Sequence, residues 1–139
     1  MNALLLDTGP LVALLSRDDR HHDWACGVLA QQHEPLLTCD AVLGEACFLL
    51  RRDGHDPELA LRLVERGVVR LAFDLAAEFA SVHAMFARYR NVPASLADAC
   101  LVRMSELHAG ARVVTLDADF HVYRRSRGRV VPVLMPPGW

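Results

Sequence analysis

Two acidic residues in the first third of the sequence stand beside apolar residues that a folded chain would bury. Asp7 directly follows Leu4–Leu6, a stretch that predicts a buried strand. Glu45 lies three residues after Val42 and four before Leu49, so helical spacing places all three on one face. Asp7 fits a helix cap and Glu45 fits a solvated side chain. The alternative is that each carboxylate is compensated by a bound cation.

Three more acidic residues occupy comparable positions in the second half of the chain. Asp98 is the third residue after Ser95, which fits either a capping box or a buried helix start, because apolar residues follow one turn later. Asp117 and Asp119 come just beyond an apolar run that predicts a strand. Taken singly, each of these two also fits an ordinary polar turn.

The five acids taken together predict a site for a hard divalent cation. Asp7 and Asp117 are both expected at carboxyl ends of parallel strands, the edge where α/β proteins bind ligands, and Asp98 begins the helix that leads to the Asp117 strand. Carboxylates gathered there repel one another, and these segments contain no lysine or arginine to compensate them. Oxygen ligands select Mg²⁺ or Mn²⁺ over zinc. Such ions suit phosphodiester hydrolysis, because they generate hydroxide and stabilise the leaving oxygen.

Strands and helices alternate in the predicted order of elements. We predict strands at residues 3–6, 35–38, 68–73, 112–116 and 130–134. Helices are predicted at about 10–15, at 19–32, at 40–52 with Asp40 as N-cap, from 56 to 67, at 74–89 with Asp74 as cap, and from 95 to 110 with Ser95 as cap. Residues 117–120 are predicted as a turn. Uniformly apolar strands indicate a parallel sheet covered on both faces. The expected fold is therefore α/β, a single domain over residues 1–139 forming a three-layer α/β/α sandwich around a parallel sheet of four to five strands.

The composition is that of a globular protein, with 53% hydrophobic and 23% charged residues. No apolar run approaches the roughly 18 residues that cross a bilayer. Asp7 interrupts the first apolar stretch and no basic region precedes it, so we expect no signal peptide and a cytoplasmic location. The four cysteines have no CxxC spacing, so we expect buried thiols rather than a zinc site or disulfides.

The charge is unevenly distributed, although the formal net charge is only −2. All fifteen basic residues are arginine, and four of them cluster at Arg124, Arg125, Arg127 and Arg129. Arginine suits bidentate contact with phosphate, which favours a nucleic-acid partner despite the net charge. A high-GC genome would also account for the absence of lysine.

Four segments taken together resemble PIN-domain proteins, and among these the VapC-type toxin ribonucleases of bacterial toxin–antitoxin pairs. They are Leu5-Leu6-Asp7-Thr8-Gly9-Pro10, Val42-Leu43-Gly44-Glu45-Ala46, Ser95-Leu96-Ala97-Asp98-Ala99 and Val114-Thr115-Leu116-Asp117-Ala118-Asp119-Phe120. Each segment is weak evidence alone, but the four occur in the family's order and at its usual spacing over nearly the whole chain. Several family members have serine where this chain has Gly9, a mild departure.

The resemblance implies a PIN-like fold and a carboxylate site that binds Mg²⁺ or Mn²⁺ and cleaves RNA endonucleolytically, leaving a 5′ phosphate. By motif, the acidic quartet corresponds to Asp7, Glu45, Asp98 and Asp117, and a less uniformly used acid corresponds to Asp119. Thr8 and Thr115 correspond to hydroxyls that orient the carboxylates. The implied partners are an RNA substrate and a cognate antitoxin protein. The apolar faces of the early helices also allow a homodimer, and the short apolar runs give no reason to expect a membrane partner.

Several other side chains are candidates for the substrate or partner surface. The candidate RNA-backbone contacts are Arg124, Arg125, Arg127 and Arg129, together with Arg17, Arg20, Arg51 and Arg52. Tyr123 fits either a platform for an unpaired base or a buried core residue. Trp24 fits either core packing, which we favour, or a groove for an antitoxin helix or a homodimer contact.

Two other functions fit parts of the pattern. A phosphatase or phosphotransferase with Asp7 as nucleophile would want an aspartate two residues later and a nearby lysine, whereas the chain has Gly9 and no lysine. No GxSxG elbow, Cys–His pairing or GxxxxGK[ST] loop is present. The second alternative is a PIN-like module that binds metal, RNA or a partner protein without cutting, and metal-dependent cleavage that needs Asp98 distinguishes the two.

Overall fold

A computed structural model describes residues 2–139 of the chain. Its strands are β1 (Leu4–Leu6), β2 (Leu36–Thr38), β3 (Val69–Leu71), β4 (Arg112–Val114) and β5 (Val133–Leu134). Its helices are α1 (Thr8–Leu15), α2 (His22–Ala30), α3 (Asp40–Arg52), α4 (Glu58–Glu65), α5 (Leu75–Arg88) and α6 (Leu96–Leu107). Two 3-10 segments, Ala118–His121 and Ser126–Gly128, lie between β4 and β5.

The five strands form one parallel sheet in the order β3-β2-β1-β4-β5. The chain builds outward from the central β1 through β2 to β3, then returns past β1 to add β4 and β5 on the other side. The strand order therefore reverses between β1 and β4, where Leu5 pairs with Val113. In open α/β sheets, a crevice forms at such a reversal, outside the carboxyl ends of the strands.

Helices cover both faces of the sheet and give the predicted three-layer α/β/α fold. Helix α6 packs against α5 and α3 and contacts both β1 and β4, so its position is set relative to the reversal point. Side chains from the sheet and from α6, such as Leu5 and Leu101, are completely buried in the core. In the described residues, no helix is long and apolar enough to span a bilayer.

The helix starts differ from the sequence prediction in three places. Helix α1 begins at Thr8 rather than near Pro10, because proline is tolerated anywhere in a first turn whose N–H groups have no intrahelical acceptor. Asp40 is not the N-cap of α3: Cys39 holds that extended position, and Asp40 is the first helical residue, where its charge favours the helix dipole. Helix α2 begins only at His22, because Asp19 forms a turn that accepts a hydrogen bond from the backbone N–H of His21.

The last predicted strand is also shorter than expected. Only Val133–Leu134 pairs with β4, whereas Val130 forms an isolated antiparallel bridge with Arg124. The intervening chain turns sharply, with a positive φ of 64° at Arg127 and of 70° at Gly128. The four cysteines are free thiols, as predicted; Cys39 and Cys100 are buried and the other two are half-buried.

Candidate active site

An open cleft of about 540 Å³ lies at the carboxyl ends of β1 and β4. Four of the five predicted acids line it, namely Asp7, Glu45, Asp98 and Asp117. The remaining lining residues are Thr8, Gly9, Leu49, Pro93, Ser95, Leu116, Ala118 and Trp139. The strand-order reversal thus brings together carboxylates that are up to 110 positions apart in the sequence.

Asp7 is buried at the floor of the cleft, with only 6% of its surface exposed. Its Oδ1 accepts a hydrogen bond from the Thr8 N–H at 2.7 Å and caps α1, as the simpler interpretation of this residue predicts. Its Oδ2 accepts one from the Thr115 hydroxyl, also at 2.7 Å. Burial raises the pKa of Asp7 from 3.8 to about 7, although both hydrogen bonds lower it, and the charges of Asp98 and Asp117 raise it further.

Asp98 is buried in the first turn of α6, with 8% of its surface exposed. It forms the predicted capping box: its backbone N–H donates to the Ser95 hydroxyl at 3.0 Å, and its Oδ2 accepts from the Ser95 N–H at 3.1 Å. The same oxygen accepts a hydrogen bond from the Tyr123 hydroxyl at 3.0 Å. Burial raises the pKa of Asp98 despite these bonds, and Asp117 adds to the increase.

Asp117 and Asp119 follow β4 and differ in their relation to the cleft. Asp117 is half-buried; its N–H donates to the Thr115 hydroxyl at 3.0 Å, so one threonine links it to Asp7. Asp117 Oδ1 accepts from the Asp119 N–H at 2.9 Å and caps the 3-10 turn, so the polar turn also forms. Asp119 itself does not line the cleft.

Glu45 is solvated, which agrees with one of the two interpretations made from the sequence and not with a carboxylate enclosed by an apolar stripe. Its side chain is exposed at the rim of the cleft, whereas Val42 is fully buried. Residues three positions apart point about 60° away from each other around a helix. That angle separates a buried from an exposed side chain when the neighbouring helices cover only part of the face. The contact that places Glu45 at the site is polar: its Oε1 accepts a hydrogen bond from the Thr8 hydroxyl at 3.2 Å.

The cleft is acidic, and the described residues that line it supply no compensating cation. None of the lining residues is arginine, histidine or lysine. The salt bridges in residues 2–139 involve none of the five acids discussed above. The charges of Asp98 and Asp117 both raise the pKa of the buried Asp7, and carboxylates gathered in this way have the chemistry of an oxygen-ligand site for a hard cation, so the donor set fits Mg²⁺ or Mn²⁺.

The fit is to an ion that keeps part of its water shell. Among the described residues, no three Asp, Glu, His or Cys side chains are close enough, as they stand, to hold one ion between them. Mg²⁺ commonly binds through one or two carboxylates and completes its coordination with water and substrate phosphate. The spacing of the acids agrees with that mode and not with a closed protein cage.

The PIN-domain family model matches residues 4–126. The chain belongs to the PIN-domain family. The predicted resemblance is thereby confirmed, and with it the fold that it implied.

A solved structure extends the similarity to the VapC type within the PIN domains. The protein is VapC20 of Mycobacterium tuberculosis, a toxin described as cleaving the sarcin–ricin loop. It is 26% identical in sequence and superimposes with a TM-score of 0.69, over 86% of this chain and 94% of its own. The search of curated proteins found no match.

Tyr123 and Trp139 have contacts at or beside the cleft of this PIN domain that sequence reasoning did not predict. Tyr123 is buried, so it is not the base-stacking platform that one interpretation predicted; its ring packs edge to face on Phe120 and Tyr89. Burial, then the charge of Asp98, raises the pKa of the Tyr123 phenol above its usual range, so it acts as a hydrogen-bond donor. Trp139 lines the cleft although it lies five residues beyond β5, and no sequence signal placed it there.

The predicted RNA-contacting arginines of this PIN domain lie outside the acidic cleft and differ from one another. Arg124 donates to the backbone carbonyls of His121, Val122 and Tyr123, so its guanidinium is engaged locally. The other three cluster members, Arg125, Arg127 and Arg129, line a separate pocket with Glu106 and Ser126. Arg125 is half-buried and its Nε has no hydrogen-bond partner, whereas Arg127 and Arg129 are exposed. Arg17, Arg20, Arg51 and Arg52 are exposed as well, with Arg52 paired to Asp53.

Trp24 packs against the core, as favoured from the sequence, and also lines a groove whose use by a partner stays a prediction. The side chain is half-buried. It also lines a groove of about 540 Å³ with Val28 of the same helix and with Leu4 and Arg112, the first residues of β1 and β4. That groove therefore lies at the opposite edge of the sheet from the acidic cleft.

Proposed function

We propose that this chain is a metal-dependent endoribonuclease and the toxin of a type II toxin–antitoxin pair. The observation that carries the proposal is the cleft that Asp7, Asp98 and Asp117 line together, with no cationic side chain among the described residues around them. Membership of the PIN-domain family and similarity to a toxin described as cleaving the sarcin–ricin loop support the same chemistry.

The proposed cofactor is Mg²⁺ or Mn²⁺, for which Asp7, Asp98 and Asp117 are the proposed direct ligands, one or two of them to each ion, with water and substrate phosphate completing its coordination. Glu45, at the rim, contributes directly or through water, whereas Asp119 does not line the cleft and would contribute through water or after a change of side-chain conformation. When bound, the ions supply a hydroxide nucleophile near neutral pH and neutralise charge on the leaving oxygen.

The chain's own contribution is to fix the carboxylates in place before substrate binds. The Thr115 hydroxyl holds one oxygen of Asp7, and the backbone N–H of Thr8 holds the other. Ser95 and Tyr123 donate to Oδ2 of Asp98, which leaves its Oδ1 without a protein hydrogen-bond donor among the described residues. We assign Thr8 and Thr115 an orienting role, because each bonds a predicted ligand through its hydroxyl.

The RNA backbone is proposed to run from the cleft towards the arginine pocket. Glu106, which lines that pocket, lies eight residues after Asp98 on α6, about 12 Å along the helix axis at 1.5 Å per residue. Arg127 and Arg129 are exposed there and are the favoured phosphate contacts, with Arg125 beside them. Arg124 is the least available of the four, because three carbonyls already engage it.

An antitoxin protein and a second copy of the chain are the proposed protein partners. The similarity to a VapC toxin supports the first. The groove at Trp24 is a candidate for either contact and is separate from the acidic cleft.

The proposal is tested by incubating total bacterial RNA with the purified chain in Mg²⁺, in Mn²⁺ and in EDTA. We expect discrete fragments with 5′ phosphates that need the metal and disappear with Asp98→Asn. The matched control is Asp74→Asn, which changes a carboxylate that also caps a helix but lies outside the cleft. Cleavage equal in the Asp98 variant would indicate a contaminating nuclease, and absence of cleavage by the native chain would favour a non-cleaving binding module.

A further inference from the structure

One wall of the cleft is apolar and includes an exposed tryptophan. Leu49, Pro93, Leu116 and Trp139 line the cleft alongside its acids. Trp139 leaves 52% of its surface exposed, although indole rings are usually largely covered. Among the lining residues of the described chain, it contributes the one aromatic ring.

The indole is held at the cleft from two directions. Pro136 is buried after β5, and Gly138 has φ of +87°, a left-handed conformation that glycine adopts without strain and that turns the chain towards the cleft. The indole then meets the His21 ring edge to face, with centroids 5.1 Å apart and planes at 76°. The ring is therefore positioned by local packing while about half of its surface stays open to a ligand.

We propose that Trp139 is a stacking platform for an unpaired nucleobase of the substrate, beside the phosphodiester that the acidic side of the cleft engages. This inference rests on the proposed ribonuclease function. Carboxylates with bound cations bind the phosphate but make no stacking contact with a base, whereas an aromatic ring can stack on any of the four bases. Single-stranded RNA is commonly recognised through such splayed, stacked bases. Tyr123, which one interpretation of the sequence made the stacking residue, is buried, and its hydroxyl donates a hydrogen bond to Asp98.

The test measures binding and cleavage separately. Binding is followed by fluorescence anisotropy of a labelled random-sequence RNA of roughly 12 nucleotides. Calcium replaces Mg²⁺, because it binds carboxylates without the geometry of the catalytic ion. The variants are Trp139→Ala, which removes the ring, and Trp139→Phe, which keeps an aromatic face. The control is Phe79→Ala, because Phe79 is similarly exposed, at 55%, but lies on α5 away from the cleft.

We expect Trp139→Ala to raise Kd by roughly 5- to 150-fold, the range that corresponds to one stacked base. Trp139→Phe should recover most of that loss and Phe79→Ala should leave Kd unchanged. All three variants should still fold cooperatively, because neither position is buried in the core. RNA made abasic throughout should bind Trp139→Ala and the native chain equally.

Two outcomes would overturn the inference, and they are distinguishable. If the native chain cuts RNA and Trp139→Ala binds within twofold of it, the stacking platform is wrong while the ribonuclease stands. If the native chain neither binds nor cuts RNA, the proposed function and this inference fail together.

Discussion

The burial of Asp7 makes a prediction about stability that does not depend on any activity. Its pKa is raised from 3.8 to about 7, so the folded chain binds a proton there more tightly than the unfolded chain does. The stabilisation of the folded chain by this more tightly bound proton is therefore fully present below about pH 4 and is lost as the pH rises through about 7. A difference of about three pKa units at about 1.4 kcal/mol each corresponds to a loss on the order of 4 kcal/mol.

The perturbation is Asp7→Asn, which keeps the shape of the side chain and an oxygen that can accept from Thr115. Because asparagine does not ionise, the variant should not lose this stability as the pH rises. In EDTA, we expect the difference in free energy of unfolding, Asp7→Asn minus native, to increase by about 3 kcal/mol between pH 5 and pH 8. Added manganese should restore stability to the native chain at pH 8, because it binds only the folded state, and should restore less to the variant.

The assay is urea unfolding in EDTA buffers at pH 5, 6, 7 and 8, for the native chain, for Asp7→Asn and for Asp18→Asn. Asp18 is exposed and outside the cleft, so its variant controls for the loss of one acidic charge. The reasoning is refuted if the curves for the native chain and Asp7→Asn stay parallel across this pH range.

Three further variants test how the site is held and how it meets RNA. Tyr123→Phe removes the hydroxyl that donates to Asp98 and should lower the free energy of unfolding by about 2 kcal/mol, measured by urea unfolding at pH 7; an unchanged midpoint would mean the bond contributes nothing. Ser95→Ala removes the capping hydroxyl of α6 and should cost about 1 kcal/mol in the same measurement, with Ser95→Thr as the variant that retains a cap. Alanine at both Arg127 and Arg129 should weaken RNA binding alike for all sequences and reduce the slope of log Kd against log salt by about 0.7 for each arginine; a sequence-dependent loss would contradict a backbone contact.

The fold was predictable from the sequence because its strands are short, apolar and separated by helical segments with caps. Asp7 and Asp117 could be placed at one edge of the sheet, since residues that follow parallel strands share that edge. Boundaries were less certain where one residue serves two roles. Pro10 suits any position of a first turn, and Asp40 suits both the N-cap and the first helical residue.

The environment of each side chain in the site was less predictable than its location. Helical spacing grouped Glu45 with apolar neighbours, but exposure depends on how far the adjacent helices reach, which the sequence of α3 does not specify. Tyr123 is 25 residues from Asp98 and bonds to it only because the segment after β4 folds back on α6. Trp139 reaches the cleft through a turn at Gly138, and local pattern gave no indication of that direction.

The central claim is that the carboxylates of the cleft hold the divalent cation on which RNA cleavage depends. It is tested most directly by the cleavage rate of one RNA as manganese is titrated into the native chain, Asp98→Asn and Asp74→Asn. We predict that the cleavage rate of the native chain and of Asp74→Asn rises with manganese and saturates. At saturation, the rate of Asp98→Asn should be lower by a factor of roughly 100 or more. Cleavage that persists in EDTA, or an Asp98 variant with the native manganese curve, would contradict the account.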